Sequence, residues 1–342
     1  MTANHHAKTM RKVLHVGPCN APGGMATVMH TLAEHPPEGW EAELLPTYSS
    51  GHAWSKWIAY RTARRALRDR LSGASKVDIV HVHVASDWSW YRKVRLIRLA
   101  QRRNAGVVVH LHSGAFERWM SFRARVQRQF RTLTTQPQTT LVALNEHWKE
   151  TFSAYSDEVE MVLNPVPPQI QPTTVNRDSN HLLLLGRADP VKGHDFAEQL
   201  VTALRKQRPT LTLTVTGREH SSVEGVNALG WVSASTKRSL LNEATLLVVP
   251  SGYEGQPLVM LEALASGCPV IVSSNVSSPP SEAVVAKHGQ LQEWVAKVTQ
   301  QLDDPTDEQR LCQSVEAHAV HRVATQWSRV YALTVDSSNN AE

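Results

Sequence analysis

Hydrophobic residues along the chain form short unbroken runs that alternate with longer amphipathic stretches. Such runs are typical of strands covered on both faces of a parallel sheet, where successive side chains are all buried. The clearest runs are 12–16, 78–84, 107–112 and 140–144 in the first half, and 181–186, 211–217, 226–232, 245–250 and 268–272 in the second. Alternating strands and helices predict an α/β protein with two doubly wound parallel sheets.

Chain length and one proline-rich segment predict two domains. The 342 residues exceed what a single hydrophobic core usually serves. Residues 164–174 are rich in proline, lack periodicity and suit a linker. We therefore predict Rossmann-like domains over 1–168 and 169–310, followed by a helical segment over 311–336. Two such domains would face each other across a cleft lined by the carboxyl ends of their strands, where a ligand could bind.

One segment of the second half combines a strand, a loop and a helix with two carboxylates. Glu254 lies in the loop after the run 245–250, and Glu262 lies on the helix that follows, which Gly267 should end. Both would then be at the carboxyl edge of a parallel sheet, where ligands bind. Carboxylates that accept hydroxyl groups beside an anion-binding helix N-terminus indicate a nucleotide-sugar site. Two ordinary exposed glutamates are the alternative.

Two basic residues and two glycines are further candidates for this site. Arg187 and Lys192 follow another strand at the same sheet edge as Glu254, where two cations can neutralise a diphosphate. A solvated loop would also explain them. Gly23 and Gly24, between the first strand and helix, would let backbone N–H groups approach a phosphate. The fingerprint G-x-G-x-x-G is absent after both first strands, which argues against a dinucleotide redox cofactor.

Three of the histidines in or at the ends of first-half strands are candidates, namely His83, His110 and His112. His112 precedes Ser113 and Gly114 and could contact a sugar hydroxyl or a transferring proton, or could simply be packed. We interpret His83 and His110 as packed residues. The 17 histidines include no H-x-x-x-H or H-E-x-x-H pair, so we expect no metal site built from them.

The net charge of +5 is concentrated in one part of the chain. Residues 52–131 contain 18 basic and 4 acidic residues together with five tryptophans. Arg61, Arg64, Arg65 and Arg68 would share one helix face. The stretch is interpreted as a solvated surface, as a surface for an anionic membrane, or, ranked last, as a nucleic-acid site.

No apolar run reaches the length of a transmembrane helix, and the first residues lack the apolar region of a signal peptide. The three cysteines have no metal-ligand spacing and are interpreted as reduced thiols. We therefore expect a cytoplasmic protein, either free or bound to the inner face of a membrane.

Taken together, the motifs resemble those of family 4 of the retaining glycosyltransferases, which have the GT-B architecture of two facing Rossmann-like domains. The resemblance covers nearly the whole chain. It rests on the glycine pair 23–24, DIVHVH, VVVHLH, NPVP, GRADPVKGHDF, LGWV and the E-x7-E string from Glu254 to Glu262. One departure is that the G-G-x-x-E segment usual in the family is missing, and SSNVSSPPSEAV offers only Glu282.

The resemblance implies a role for each candidate residue. Glu262 would bind the ribose hydroxyls, Glu254 the donor sugar, and Arg187 with Lys192 the diphosphate. The donor-binding residues would be Gly23, Gly24, Arg187, Lys192, Gly255, Gln256, Pro257, Leu258, Val259 and Glu262, and the residues nearest the reaction His112, Glu254, Arg187 and Lys192. The family needs no metal, so a UDP- or GDP-sugar is the only co-substrate implied. Its closing helix, matched here by ATQWSRVYAL, packs on the N-terminal domain.

The expected function is retaining transfer of a sugar to a hydroxyl of a glycan, lipid-linked or small-molecule acceptor. The alternative is a non-catalytic carbohydrate-interaction or membrane-interaction protein that kept the fold. The missing glycine segment and the basic, tryptophan-bearing stretch favour this alternative, whereas the complete set of donor-side residues favours the enzyme.

Overall fold

The computed structural model describes residues 10–73, 76–172 and 177–339. The start of the chain and residues 173–174 of the predicted linker lie outside these ranges. The chain divides into two compact units. The first comprises the residues up to Pro165 and those from Val320 onward, and the second is Val166–Ala319.

The first unit contains one parallel sheet of six strands. They are β1 (Arg11–Gly17), β2 (Trp40–Pro46), β3 (Ile79–Val84), β4 (Gly106–Leu111), β5 (Thr139–Ala143) and β6 (Val159–Met161). The helices between and after them are α1 (Gly24–Glu34), α2 (Ala53–Arg70), α3 (Trp88–Gln101), α4 (Phe116–Ser121), α5 (Ala124–Thr134) and α6 (Glu146–Ser153). The strand order β2-β1-β3-β4-β5-β6 reverses direction between β1 and β3, so the glycine loop after β1 lies at the switch point.

The second unit repeats this architecture. Its strands are β7 (His181–Leu184), β8 (Thr212–Val215), β9 (Val226–Ala228), β10 (Leu246–Val249), β11 (Val270–Ser273) and β12 (Val284–Ala286). Its helices are α7 (His194–Arg205), α8 (Ala234–Glu243), α9 (Leu258–Ala265), α10 (Leu291–Asp303) and α11 (Glu308–Ser314). All strand pairs are parallel, and the order β12-β11-β10-β7-β8-β9 places the switch point between β7 and β10.

The last helix, α12 (Val320–Asn339), belongs to the first unit, not to the second. Its Trp327 and Tyr331 are buried, and the Tyr331 hydroxyl lies 2.9 Å from His81 Nδ1 on β3. The hydroxyl oxygens of Thr334 and Thr140 are 2.7 Å apart, which joins the helix to β5. The C-terminal helix is therefore part of the first unit's hydrophobic core.

The two predicted parallel sheets are confirmed, with several corrections to the elements. Strands β2, β6 and β12 were not predicted, because all three are edge strands and carry polar or partly exposed positions that interrupt an apolar run. The segment 311–336 is not one helix: α11 ends at Ser314 and a 3-10 turn over Glu316–His318 precedes α12. The first domain ends at Pro165 instead of 168, and α7 begins at His194 after a 3-10 turn over Pro190–Lys192.

A close contact between two loops of the second unit suggests a test of stability. Gly217 has φ +83°, and a Cβ there would lie 2.3 Å from Gly186 O and 2.7 Å from Ala188 N. Gly289 also has a positive φ, of +72°, but a Cβ there would have no neighbour within 4 Å. We expect Gly289→Ala to cost about 1 to 2 kcal/mol of unfolding free energy for the left-handed backbone. Gly217→Ala should cost at least about 2 kcal/mol more, because backbone atoms must also move.

Urea denaturation of the two variants, side by side with the wild type, measures this difference directly. Equal losses in both variants would show that the contact between the 217 loop and the 186–188 loop adds nothing beyond backbone strain.

Candidate functional site

The candidate site of the second unit lies at the switch point of its sheet. Strands β7 and β10 are parallel neighbours, so their carboxyl ends meet at one edge. The loop after β7 carries Arg187 and Lys192, and the loop after β10 carries Glu254. At such a point the connections that follow the two neighbouring strands turn to opposite faces of the sheet. A crevice for a ligand therefore opens between them at the carboxyl ends of the strands.

Two backbone contacts hold these loops together. The Gly252 N–H donates a hydrogen bond to Val191 O at 2.8 Å. Gly193 has φ +74°, and a Cβ on it would lie 2.9 Å from both Cγ and O of Pro250. A glycine is therefore required directly after Lys192, because any larger residue would push the two loops apart.

Lys192 and Glu254 form an ion pair across the two loops. The Lys192 ammonium donates a short hydrogen bond to Glu254 Oε1, and the hydroxyl of Ser251 donates to the same oxygen at 3.0 Å. The side chains of this pair are mostly buried, at 24% and 16% exposed. Arg187 differs because its side chain is 63% exposed, with its nearest carboxylate, Asp189, at 3.9 Å. Of the two predicted cations, Lys192 is therefore held in an ion pair and Arg187 faces solvent.

Glu262 is fully buried on α9 and is paired with a lysine that sequence reasoning missed. Lys237 Nζ on α8 donates to Glu262 Oε1 at 2.5 Å. Burial raises the pKa of the Glu262 carboxyl, and the nearby Lys237 charge partly opposes this rise. Among the described residues, Glu262 Oε2 has no hydrogen-bond partner. A buried carboxylate oxygen without a donor is a position that a ligand hydroxyl can satisfy.

No motif points to Lys237, which lies 25 positions before Glu262 on another helix. The only available signal was physical: a buried carboxylate requires a cation or a proton. The remaining predicted residues lead into α9. Pro257 is the N-cap of α9 and is buried, as are Gly255, Gln256 and Leu258, while Val259 is partly exposed.

Gly23, Gly24 and His112 lie in the first unit. Gly23 is the N-cap of α1 with φ +140°, and Gly24 is its exposed first residue. His112 directly follows β4, is half-buried, and has its Nε2 2.9 Å from His83 Nδ1. Burial and, to a smaller extent, the Lys93 charge lower the pKa of His112 to about 3. The imidazole is therefore neutral at physiological pH and can donate or accept a hydrogen bond.

A buried lysine, Lys93 on α3, was also missed. Only 2% of it is exposed, and its ammonium donates to His83 O and to Ser89 Oγ, the latter at 3.2 Å. Burial, with a smaller effect of Arg92, lowers the pKa of Lys93 to about 7. The spacing of Ser89, Arg92 and Lys93 on one helix is ordinary, so the sequence carried no distinct signal for this arrangement.

A separate cleft of about 340 Å³ opens beside the loops, lined by residues that include Gly193, Arg218, Pro250, Gly252 and His288. None of the predicted site residues lines it. The candidate site is accordingly defined by the ion pairs and the unpartnered oxygen and not by this cleft. Within the described ranges, every helix is too short or too polar to cross a bilayer.

Comparison with known proteins relates the second unit to one family. Residues 179–304 match the family model described as glycosyl transferases group 1. The matched segment contains every candidate residue of the second unit, from Arg187 to Glu262.

Relatives of the whole chain are distant. The chain is similar to glycogen synthase of Mycobacterium tuberculosis, 25% identical over 318 residues that cover 82% of this chain and 75% of the relative. Among solved structures, sucrose-phosphate synthase from Thermosynechococcus elongatus has a TM-score of 0.71 at 15% identity, covering 94% of this chain and 98% of that one. The pneumococcal O-GlcNAc transferase GtfA, solved with UDP and GlcNAc, has a TM-score of 0.61 at 14% identity, covering 80% and 59%.

These likenesses confirm the predicted fold class, since the neighbours share the two Rossmann-like units of the GT-B type. Glycosyl transfer is the activity that the match to this family model supports.

Replacing Lys237 tests the electrostatics of Glu262. In Lys237→Met the carboxylate keeps its burial and loses its cation, so at pH 8 the unfolding free energy should fall by about 3 kcal/mol. The pKa of Glu262, already raised by burial, should rise further. A carboxyl whose pKa is raised in the folded state lowers the unfolding free energy only at pH values above its pKa in the unfolded state. The loss should therefore shrink as the pH falls and the carboxyl takes up a proton.

Urea denaturation at pH 8 and near pH 4 measures both losses, and Lys206→Met, an exposed lysine of the same unit, serves as the control. A loss of the same size at both pH values would contradict the assigned pair.

Proposed function

We propose that the chain is a retaining glycosyltransferase of family 4 that transfers a sugar from a UDP- or GDP-sugar to a hydroxyl of a glycan, lipid-linked or small-molecule acceptor. The observation that carries this proposal is the unpartnered, fully buried oxygen of Glu262 within a group 1 glycosyl transferase domain. A carboxylate oxygen in that position needs hydroxyl donors, and the ribose of a nucleotide supplies two.

Glu262 is proposed to bind the ribose. Its Oε1 is occupied by Lys237, so Oε2 is the oxygen that accepts hydroxyl hydrogens. Hydrogen bonds to an ionised acceptor are about twice as strong as neutral ones. The Lys237 charge opposes the rise that burial causes in the pKa of Glu262 and so favours the ionised carboxylate, which makes Lys237 a positioning residue for this contact.

Lys192 and Arg187 are proposed to bind the diphosphate. Lys192 is held at the switch point by Glu254, and Arg187 extends into solvent where an incoming anion can recruit it. Negative charge develops on the phosphate as the sugar leaves, so fixed cations stabilise the transition state more than the ground state. Two cations at this place would neutralise the diphosphate as a divalent metal does, and the N–H groups of Gly255, Gln256, Leu258 and Val259 add to them.

Glu254 and His112 are proposed to contact the donor sugar. Glu254 Oε1 already accepts two hydrogen bonds, which leaves Oε2 to accept a sugar hydroxyl. His112 is neutral and can accept a hydrogen bond from a hydroxyl near the reacting carbon. Gly23 and Gly24 are proposed to meet the diphosphate with backbone N–H groups. With leaving phosphate and incoming hydroxyl on one face of the sugar, retention needs no protein nucleophile.

We also propose that the first unit binds an anionic membrane surface from the cytoplasmic side, where a lipid-linked acceptor would be found. Its aromatic surface consists of Trp54, Trp57, Ile58, Trp88, Tyr91 and Phe122, which are 43% to 81% exposed. These residues lie at the first turns of α2 and α3 and just after α4, helices that follow parallel strands and so begin at one sheet edge.

Cations accompany the aromatic surface. The Arg61 guanidinium lies 4.7 Å from the ring centre of Trp57, and that of Arg123 lies 5.2 Å from Trp119. All four arginines of the predicted α2 face are exposed. Exposed aromatic side chains beside cations suit the boundary between lipid headgroups and acyl chains.

Donor binding provides the first test of function. Calorimetry with a panel of UDP- and GDP-sugars should identify at least one ligand, with UDP-linked sugars tried first because the pneumococcal neighbour was solved with UDP. Glu262→Gln keeps the shape of the side chain and removes its charge, so donor affinity should fall at least tenfold, about 1.4 kcal/mol. Glu219→Gln, an exposed glutamate of the same unit, should bind as the wild type does.

Wild-type affinity in Glu262→Gln, or no binding across the panel, would overturn the proposal. Binding without hydrolysis or transfer of any donor would favour the non-catalytic alternative.

Vesicle sedimentation tests the membrane surface. The wild type should bind vesicles of phosphatidylglycerol and phosphatidylcholine at low salt, and lose most of this binding in high salt because the attraction is screened. Trp54→Ser with Trp88→Ser should weaken binding at least fivefold. Trp231→Ser removes an indole that is 57% exposed in the second unit and should have no effect. Equal binding by all three proteins, or none by the wild type at low salt, would refute the assignment.

A further inference from the structure

Five histidines form a layer inside the first unit. His15 lies on β1, His81 and His83 on β3, and His110 and His112 on or just after β4. Alternate residues of a strand point to the same face, and the register pairs His15 with His81 and His83 with His110. The first four are fully buried and His112 is half-buried. The layer thus runs from the interior to the carboxyl edge of the sheet.

The two deeper histidines orient the others through their ring nitrogens. His83 Nε2 lies 3.0 Å from His15 Nδ1, and His110 Nδ1 lies 3.1 Å from His81 Nε2. His81 is itself held by the Tyr331 hydroxyl at 2.9 Å. Each of His83 and His110 therefore has one ring nitrogen fixed by a second histidine.

The ring nitrogens of His83, His110 and His112 that are not used in these contacts lie close together. His83 Nδ1 and His112 Nε2 are 2.9 Å apart, and one nitrogen from each of His83, His110 and His112 lies within 4.8 Å of the other two. His110 Nε2 is buried and has no hydrogen-bond partner among the described residues. In a tetrahedral zinc site with bonds of about 2.0 to 2.1 Å, ligand nitrogens are about 3.4 Å apart, so small rotations of the rings would suffice.

We propose that His83, His110 and His112 bind a divalent transition-metal ion of the zinc class. Three imidazoles and no carboxylate are the ligand set that zinc, cobalt, nickel or copper prefers over magnesium or calcium. A metal-binding histidine is usually held in place by a hydrogen bond at its second ring nitrogen, and the two inner ligands, His83 and His110, each have such a bond. Half-buried His112 leaves a route for the ion and an open fourth position.

The electrostatics of the layer are compatible with such an ion. Burial lowers the pKa of His83 and of His110 well below the usual value, so both are neutral and their lone pairs are available at pH 7. This site stands independently of glycosyl transfer, although an ion on His112 would compete with its proposed contact to the donor sugar.

Metal titration of the full chain tests the site. The background protein carries His5→Ala and His6→Ala, so the adjacent pair near the start of the sequence cannot bind the ion. After treatment with a chelator, calorimetry with Zn²⁺ should show one ion per chain, and Co²⁺ should give the intense visible absorption of a four-coordinate site. His83→Gln, His110→Gln and His112→Gln should each weaken zinc binding at least tenfold, whereas His147→Gln, on the surface of the same unit, should not.

Because His83 and His110 are fully buried, their variants must first show the far-ultraviolet circular dichroism of the wild type. If either fails to fold, His112→Gln decides the question, since it is half-buried. No zinc binding by the background protein, or undiminished binding in His112→Gln, would overturn the proposal. Binding lost in His15→Gln and kept in His112→Gln would place the ion among His15, His81 and His83 and would equally refute it. The readout is metal binding, so failure here leaves the proposed sugar transfer untouched.

Discussion

Parallel pairing of strands is the constraint on which both units depend. Since every strand in a sheet runs in the same direction, the loops that follow them gather at one edge and the connections that precede them at the other. In the second unit the reversal of strand order between β7 and β10 brings Lys192 and Glu254 together although 62 positions separate them. Gly193 and Pro250 then fix the distance between the two loops by backbone contact. The ion pair is a result of this topology and not its cause.

Charge burial shapes the site once the loops are in place. Removing a carboxylate from water is costly unless a cation or a proton accompanies it. Glu262 and Glu254 each meet this requirement with a lysine, yet neither pair uses all the oxygens of its carboxylate. The folded second unit therefore presents carboxylate oxygens that are already oriented to accept hydrogen bonds. In the first unit the same cost is avoided differently, because the buried imidazoles remain neutral and bond to one another.

The sequence predicted the central strands and the positions of Arg187, Lys192, Glu254 and the glycine loop well, because long apolar runs and loop motifs are local properties. It could not reveal edge strands such as β12, whose three residues are too few and too exposed to form a run. It also missed the pairing of Lys237 with Glu262 and the burial of Lys93, because both follow from packing between elements distant in the chain. The histidine layer had a signal, H-x-H on two strands, but its meaning depends on which strands are neighbours and in which register. A search for metal motifs within one helix could not find it.

The position of α12 has a consequence for synthesis. This helix supplies Trp327 and Tyr331 to the core of the first unit, so the face of that sheet bearing the histidines stays uncovered until residues 320–339 are made. The second unit, Val166–Ala319, is complete before then. On the ribosome the order of completion is thus reversed relative to the order of the units in the chain, and the unit translated first is the last to close. A ribosome that stops before Val320 would release a chain with an exposed apolar sheet face, which is a target for chaperones and proteases.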